Sequence, residues 1–118
     1  MPPFYLLEDV RGILADWRLS CSIAIQAPDA PGDAPWWHPR FVPFGLAPDG
    51  GSLVLDQRPG RAGRVGEFFA ESGTSFDGQP ASLADLLTAV ADALETGRPY
   101  AGTYRATVVD GHVDWAGR

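Results

Sequence analysis

Residues 36–56 read WWHPRFVPFGLAPDGGSLVLD, and this stretch decides the fold. Its segment 41–46 predicts a short strand in which Pro43 lies at an edge or a bulge, because proline donates no backbone hydrogen bond. Segment 47–51 is typical of a turn, and the apolar run 53–55 predicts a strand covered on both faces. Residues 64–69 are predicted to form the next, antiparallel strand. An antiparallel sheet therefore forms the centre of the predicted fold.

One helix is predicted before this sheet and one after it. Apolar residues recur at helical spacing over 10–17, while 22–26 is compatible with a longer helix or with a strand. The second helix is predicted over 82–96, with Ser82 as its N-cap and Gly97 and Pro99 ending it. The predicted apolar stripes are Val10, Ile13, Leu14 and Trp17 in the first helix, and Leu83, Leu86, Leu87, Val90 and Leu94 in the second.

The ends of the chain complete the predicted order of elements. Residues 4–7 form a short apolar run, and residues 104–115 predict a hairpin that turns at Asp110-Gly111. Three prolines in 27–35 predict a surface loop. The expected fold is α+β: a mostly antiparallel sheet with two main helices packed on one face, in one domain spanning 1–118.

Composition limits the classes of function. The chain has 118 residues and a net charge of −6, which disfavours nucleic acid and anionic membranes as partners and favours a basic protein. Neither a signal peptide nor an apolar run long enough to span a bilayer is evident. The lone Cys21 is interpreted as a small apolar residue in a reducing compartment, so a cytoplasmic location is expected.

Motifs for catalysis or metal binding are absent from the sequence. His38 and His112 lack further ligands at a recognised spacing, and no nucleophile motif appears. The loop 58–66, rich in glycine and arginine, is compatible with anion binding, but a turn between two strands explains it equally well. We therefore expect a protein that is not an enzyme and that uses no cofactor or metal.

The adjacent residues Trp36 and Trp37 are the most informative aromatic pair. Neighbours in a strand face opposite sides, so at least one of the two indoles is expected to reach the surface. An exposed tryptophan is a typical interface anchor. The alternative is that one indole lies in the core and the other covers a sheet edge.

Taken in order, these residues resemble the SUKH superfamily, which includes a yeast cell-wall-assembly regulator and many bacterial proteins. The resemblance extends over roughly residues 4–116, and the 82–96 helix and the last hairpin add to it. This chain begins near the family's Tyr-x-Leu-Leu segment, at Tyr5, so it resembles a member shortened at its N-terminus. The matching positions are Trp37, Val42, Pro43, Phe44, Asp49, Gly50, Gly51, Asp56, Pro59, Gly60, Gly63 and Val65.

The resemblance implies a non-enzymatic protein-binding module. Many bacterial members are immunity proteins that neutralise a toxin, often a nuclease, and an acidic inhibitor suits a basic toxin. A regulatory scaffold domain is the alternative, and a small-ligand-binding protein or enzyme comes third. A homodimer is a further expectation, because a missing N-terminal helix leaves apolar surface exposed. The expected contacts are Trp36, Trp37 and Arg40 as anchors, with Asp49, Asp56, Glu67 and Glu71 supplying charge.

Overall fold

The computed structural model describes residues 2–25, 35–61 and 63–116. Its centre is a five-stranded antiparallel sheet in the order β1-β2-β3-β4-β5. Two helices and a separate two-stranded antiparallel sheet complete the described chain, which confirms the α+β class. The elements are β1 (Leu6–Leu7), α1 (Val10–Ala24), β2 (Phe41–Leu46), β3 (Ser52–Asp56), β4 (Val65–Phe69), β5 (Gly73–Ser75), α2 (Leu83–Thr96), β6 (Arg105–Val109) and β7 (His112–Ala116).

The strand β3 is the core of the sheet, as its apolar run predicted. Leu53 and Val54 are both almost fully buried, although successive strand residues point to opposite faces. Both faces of β3 are therefore covered. The register between β2 and β3 shifts between Pro43 and Gly45, which confirms the predicted bulge at this proline.

The two helices pack on opposite faces of the sheet, in contrast to the predicted single face. On one side, Val54 belongs to a cluster against which Trp17 and Cys21 of α1 pack. On the other side, Leu53 belongs to a cluster that contains Leu86 of α2. A helix on each face of the sheet requires a central strand that is apolar on both faces, and the apolar run of β3 meets this requirement.

Helix α1 begins at its N-cap Asp9, whose carboxylate accepts a hydrogen bond of 2.8 Å from the backbone N–H of Gly12. It continues to Ala24, so the ambiguous segment 22–24 is helical. The predicted stripe is confirmed at Trp17, which packs against the core together with Cys21 and Ala24, but it is wrong at Val10 and Leu14, which are exposed. The contact face therefore lies toward the C-terminal half of the helix.

Helix α2 has the predicted bounds. The Ser82 hydroxyl accepts a hydrogen bond from the backbone N–H of Asp85, and Gly97 ends the helix in the left-handed conformation that favours glycine. The buried stripe is Leu86, Val90 and Ala93. Leu87 and Leu94, which were predicted to be in the stripe, are exposed.

The strands β6 and β7 form the predicted hairpin. Asp110 and Gly111 both have positive φ, at 50° and 78°, as a type I′ turn requires. The strand β5 was not predicted, because residues 73–75 carry no apolar alternation. The predicted surface loop 27–35 lies outside the described residues except for Pro35.

Candidate functional site

A cleft of about 230 Å³ lies on the α2 side of the sheet. Its floor comes from the strands β3 and β4, and its walls come from the N-terminal segment and from the turn that follows α2. Aromatic and polar side chains both face it. The lining residues are Pro2, Pro3, Phe4, Tyr5, Leu53, Glu67, Gln79, Tyr100 and Tyr104.

The turn between α2 and β6 places two tyrosines, Tyr100 and Tyr104, beside the cleft. Tyr100 and Tyr104 exchange backbone hydrogen bonds of 2.6 and 3.1 Å and form an isolated antiparallel bridge. Ala101 and Gly102 between them adopt positive φ, which closes the turn tightly. Bridge partners project to the same side, so both phenol rings reach the cleft.

Phe4 closes the opposite wall. Its ring meets the ring of Tyr104 edge to face, with centroids 5.2 Å apart and planes at 89°. Phe4 has φ of 72°, a conformation that is costly for a residue with a side chain. The contact with Tyr104 thus joins the N-terminal segment to the turn after α2.

Glu67 supplies the acidic group of the cleft. Its Oε2 accepts a hydrogen bond of 2.5 Å from the Tyr5 hydroxyl, and its Oε1 accepts one of 2.6 Å from Nε2 of Gln79. Burial raises the pKa of Tyr5, and the hydrogen bond to Glu67 raises it further. Burial and the charge of Glu67 also raise the pKa of Tyr100. Both phenols therefore remain neutral at physiological pH.

The β6–β7 hairpin extends this aromatic wall. Trp115 meets the ring of Tyr100 with centroids 5.7 Å apart. The cross-strand pairs Ala106–Trp115 and Val108–Val113 lie two residues apart, so all four side chains share one face. The side chains of Arg105, Thr107, Val109, His112 and Asp114 occupy the other face.

The shared face of Ala106, Val108, Val113 and Trp115 is the apolar hairpin face. Val108 is 67% exposed and Val113 is 41% exposed, while Ala106 and Trp115 are half-buried. The ring of Phe4 contacts Tyr104 and that of Tyr100 contacts Trp115, so the aromatic wall of the cleft leads to this face. Exposed apolar surface of this kind marks interaction sites.

Of the two predicted tryptophan anchors, Trp37 is a core residue. It is 5% exposed, its ring contacts Phe41 and Phe68, and its Nε1 donates to the sulfur of Cys21. It therefore presents no anchor to a partner. Trp36 is half-buried against Phe68, and its Nε1 donates to the carbonyl of Ala70 at 2.9 Å.

Asp56 is also buried, and its charge is already paired. Its Oδ2 lies 2.9 Å from Nη2 of Arg58 and 3.0 Å from Nε of Arg64. Burial alone would raise the pKa of Asp56, but the hydrogen bonds from both arginines outweigh burial and lower it. The two arginines also lie over aromatic rings, that of Phe41 for Arg58 and that of Phe76 for Arg64. Asp56 thus holds Arg58 and Arg64 in place instead of facing a partner.

The remaining predicted contact residues do not form one cluster. Arg40, Asp49 and Glu71 are exposed, and Oδ1 of Asp49 accepts a hydrogen bond from Gly51 N–H within its own turn. Glu67 alone of the seven predicted residues lines the cleft. The structure thus places the predicted residues on both sides of the sheet.

Sequence reasoning missed most of the cleft. Tyr5, Gln79, Tyr100 and Tyr104 are far apart in sequence, and no fixed spacing connects them. A weak signal existed in Tyr100-Ala101-Gly102-Thr103-Tyr104, where two tyrosines flank a glycine turn. The alternation of residues 106–115 also indicated a hairpin with one apolar face.

No protein-family model matches the chain, and no curated protein or solved structure matches it. The SUKH resemblance therefore stays a prediction. Neither described helix has the length and apolar character needed to cross a membrane. Within residues 2–25, 35–61 and 63–116, no group of three or more His, Cys, Asp or Glu side chains is placed to hold a metal ion.

Proposed function

We propose that this protein is a non-enzymatic protein-binding module whose contact surface is the apolar hairpin face together with the aromatic cleft. The observation that carries the proposal is the exposure of Val108 and Val113 on a face that continues the cleft wall through Trp115. Apolar side chains in the centre of a patch and polar ones at its rim are typical of protein interfaces.

The finer form of the proposal is an immunity protein that neutralises a basic toxin in the cytoplasm. The net charge of −6 supports it, because opposite charge speeds association with a basic partner. The resemblance of residues 36–66 to SUKH proteins supports it as well. A gene for a basic toxin next to the gene for this protein is expected.

The hairpin offers a matched pair of variants that tests the proposal. Val108 and Val109 are adjacent, are both exposed, and lie on opposite faces of the hairpin. We expect Val108→Asp to weaken the complex with the toxin encoded by the neighbouring gene at least about tenfold, as for an apolar residue that is buried in an interface. Val109→Asp introduces the same charge on the polar face and should change the affinity little.

Calorimetric titration of each variant with the purified toxin domain measures this difference. Equal affinities for the two variants would remove the apolar hairpin face from the interface. Tight binding of a partner that is not a toxin would instead favour the regulatory scaffold.

A further inference from the structure

The negative charge of Glu67 has no cationic partner in the described part of the chain. Its carboxylate accepts hydrogen bonds from two neutral donors, the Tyr5 hydroxyl and the Gln79 amide. Within residues 2–25, 35–61 and 63–116, no arginine forms an ion pair with Glu67. A carboxylate has about four acceptor positions, so two donors leave capacity on the cleft side.

The rings around Glu67 are suited to a cation. Tyr5, Tyr100, Tyr104 and Phe4 all line the cleft, and the faces of aromatic rings carry partial negative charge. A cation within about 6 Å of such a ring is attracted to it. Because both Tyr5 and Tyr100 stay protonated, the rings provide this attraction without adding a second full charge.

The size of the cleft limits the ligand. At about 230 Å³, it is smaller than the pockets of roughly 300–1,000 Å³ that enclose drug-sized molecules. A drug-sized ligand would not be enclosed by it. A methylated ammonium group, a lysine end or a guanidinium group is of suitable size.

We infer that the cleft is a binding site for an organic cation, with Glu67 as its counter-ion and the rings of Phe4, Tyr5 and Tyr104 as its walls. The cation is an alkylammonium or guanidinium group, carried by the partner protein or free in solution. If the partner protein carries the cation, the inference rests on the proposed function and specifies which kind of side chain the partner inserts into the cleft.

A pair of ligands of equal shape separates charge from size. Choline and 3,3-dimethylbutan-1-ol differ in the charge of one central atom, so their affinities report the electrostatic part of binding. Nuclear magnetic resonance of ¹⁵N-labelled protein follows the titration, and the side-chain amide of Gln79 reports on the floor of the cleft. We expect a saturable shift with choline and at least about tenfold weaker binding of the alcohol, because the cation alone is attracted to the carboxylate and the rings.

Two variants locate the site. Glu67→Gln keeps the size of the side chain and an oxygen that accepts from Tyr5, and it should weaken choline binding at least about tenfold. Glu95→Gln removes the same charge from an exposed position on α2 and should leave choline binding unchanged. Tyr104→Leu removes one aromatic wall without changing Glu67, and it should also weaken choline binding. The amide spectrum of each variant verifies that it is folded.

The results that overturn the inference are specific. Equal binding of choline and the alcohol would show an apolar cleft with no cation preference. Absence of a saturable Gln79 shift with choline, or equal binding by the Glu67→Gln variant, would equally overturn it. If Val108→Asp loses toxin binding and choline does not bind to the wild type, the proposed protein interface stands and only the cation site is ruled out.

Capped peptides distinguish the two sources of the cation. Ac-Gly-Lys-Gly-NH₂ and Ac-Gly-Arg-Gly-NH₂ carry the side chains that a protein partner would insert. Tighter binding of either peptide than of choline supports a partner side chain as the occupant. Tighter binding of choline supports a quaternary ammonium ligand, and both outcomes support the cation site itself.

Discussion

Asp56 and Glu67 are acidic residues of the same sheet, but their surroundings give them different roles. Asp56 lies on the face of Val54, fully buried, with Arg58 and Arg64 at 2.9 and 3.0 Å. Glu67 pairs in register with Leu53 and therefore lies on the other face, where two neutral donors hold it at the cleft. Asp56 is therefore a structural residue, and Glu67 is left able to attract a ligand.

The buried position of Asp56 makes its substitution costly. Asp56→Asn leaves two arginines without their carboxylate, and we expect the free energy of unfolding to fall by about 3 kcal/mol, as when one partner of a buried ion pair is removed. Urea unfolding at pH 7 measures this loss. Asp77→Asn, at an exposed turn residue, is the matched control and should change stability little.

The contribution of Asp56 also depends on pH. The arginines lower the pKa of the folded-state carboxyl below its ordinary value of 3.8, so the stabilisation is present above that value. It is lost as the pH falls through the lower, folded pKa. The difference between wild type and Asp56→Asn should therefore shrink as the pH falls below 3.8, and a constant difference would contradict the assignment.

The pKa of Glu8 is shifted in the direction opposite to that of Asp56, so its contribution to stability depends on pH in the opposite way. Burial, the hydrogen bond with Asp16 and the charges of Asp16 and Asp9 together raise the pKa of Glu8 to about 7. Oε2 of Glu8 and Oδ2 of Asp16 are buried with no donor from another described residue, so the hydrogen bond between the two carboxyl groups requires a proton on one of them. Stability from this pair is present below the ordinary Glu value of 4.5 and is lost as the pH rises through about 7.

Glu8→Gln should therefore raise the melting temperature more at pH 8 than at pH 5. The neutral amide does not acquire the charge that destabilises the wild type above its raised pKa. Thermal unfolding at the two pH values measures the effect, with Glu71→Gln at an exposed position as the control. An equal effect at both pH values would count against the raised pKa of Glu8.

At the scale of the elements, helical spacing predicted where the helices lie but not which side is buried. In α2, Leu86 and Leu87 both fit the predicted stripe, yet Leu86 is 1% exposed and Leu87 is 49% exposed. The direction of the contact face depends on the sheet beneath it, and residue spacing within the helix does not contain that information. The same reason explains why Val10 and Leu14 of α1 are exposed.

These two leucines provide a prediction with its control built in. Leu86→Ala should lower the free energy of unfolding by about 3 kcal/mol, because it leaves a cavity beside Leu53 and Val65. Leu87→Ala removes the same atoms from a half-exposed site and should cost less than about 1 kcal/mol. Urea unfolding compares the two, and equal costs would contradict the observed orientation of α2.

At the scale of the whole molecule, local patterns predicted the central strands and the hairpin, while the cleft depends on contacts distant in sequence. The apolar run 53–55 and the Asp110-Gly111 turn carry their own signals. Tyr5 and Glu67 are 62 residues apart, and only the folded sheet brings the hydroxyl to the carboxylate. Trp37 and Asp56 were predicted as contact residues because the contacts that bury them, with Cys21 for Trp37 and with Arg58 and Arg64 for Asp56, are not evident from the local sequence pattern.

The hairpin and the central sheet should differ in local stability. The hairpin is held by β6 packing on α2, by the hydrogen bond of 2.9 Å from Arg105 Nη1 to the Gly97 carbonyl, and by the contact of Trp115 with Tyr100. A two-stranded sheet is at best marginally stable by itself, so these contacts decide whether it stays formed. Amide hydrogen exchange should therefore be faster in β6 and β7 than in β3, which is covered on both faces. Trp115→Ala should accelerate amide exchange in the hairpin while β3 stays protected. A partner bound to the apolar hairpin face should slow exchange in the hairpin. Equal protection of the hairpin and β3 in the free protein would contradict the prediction, because it would mean that the hairpin unfolds only with the whole molecule.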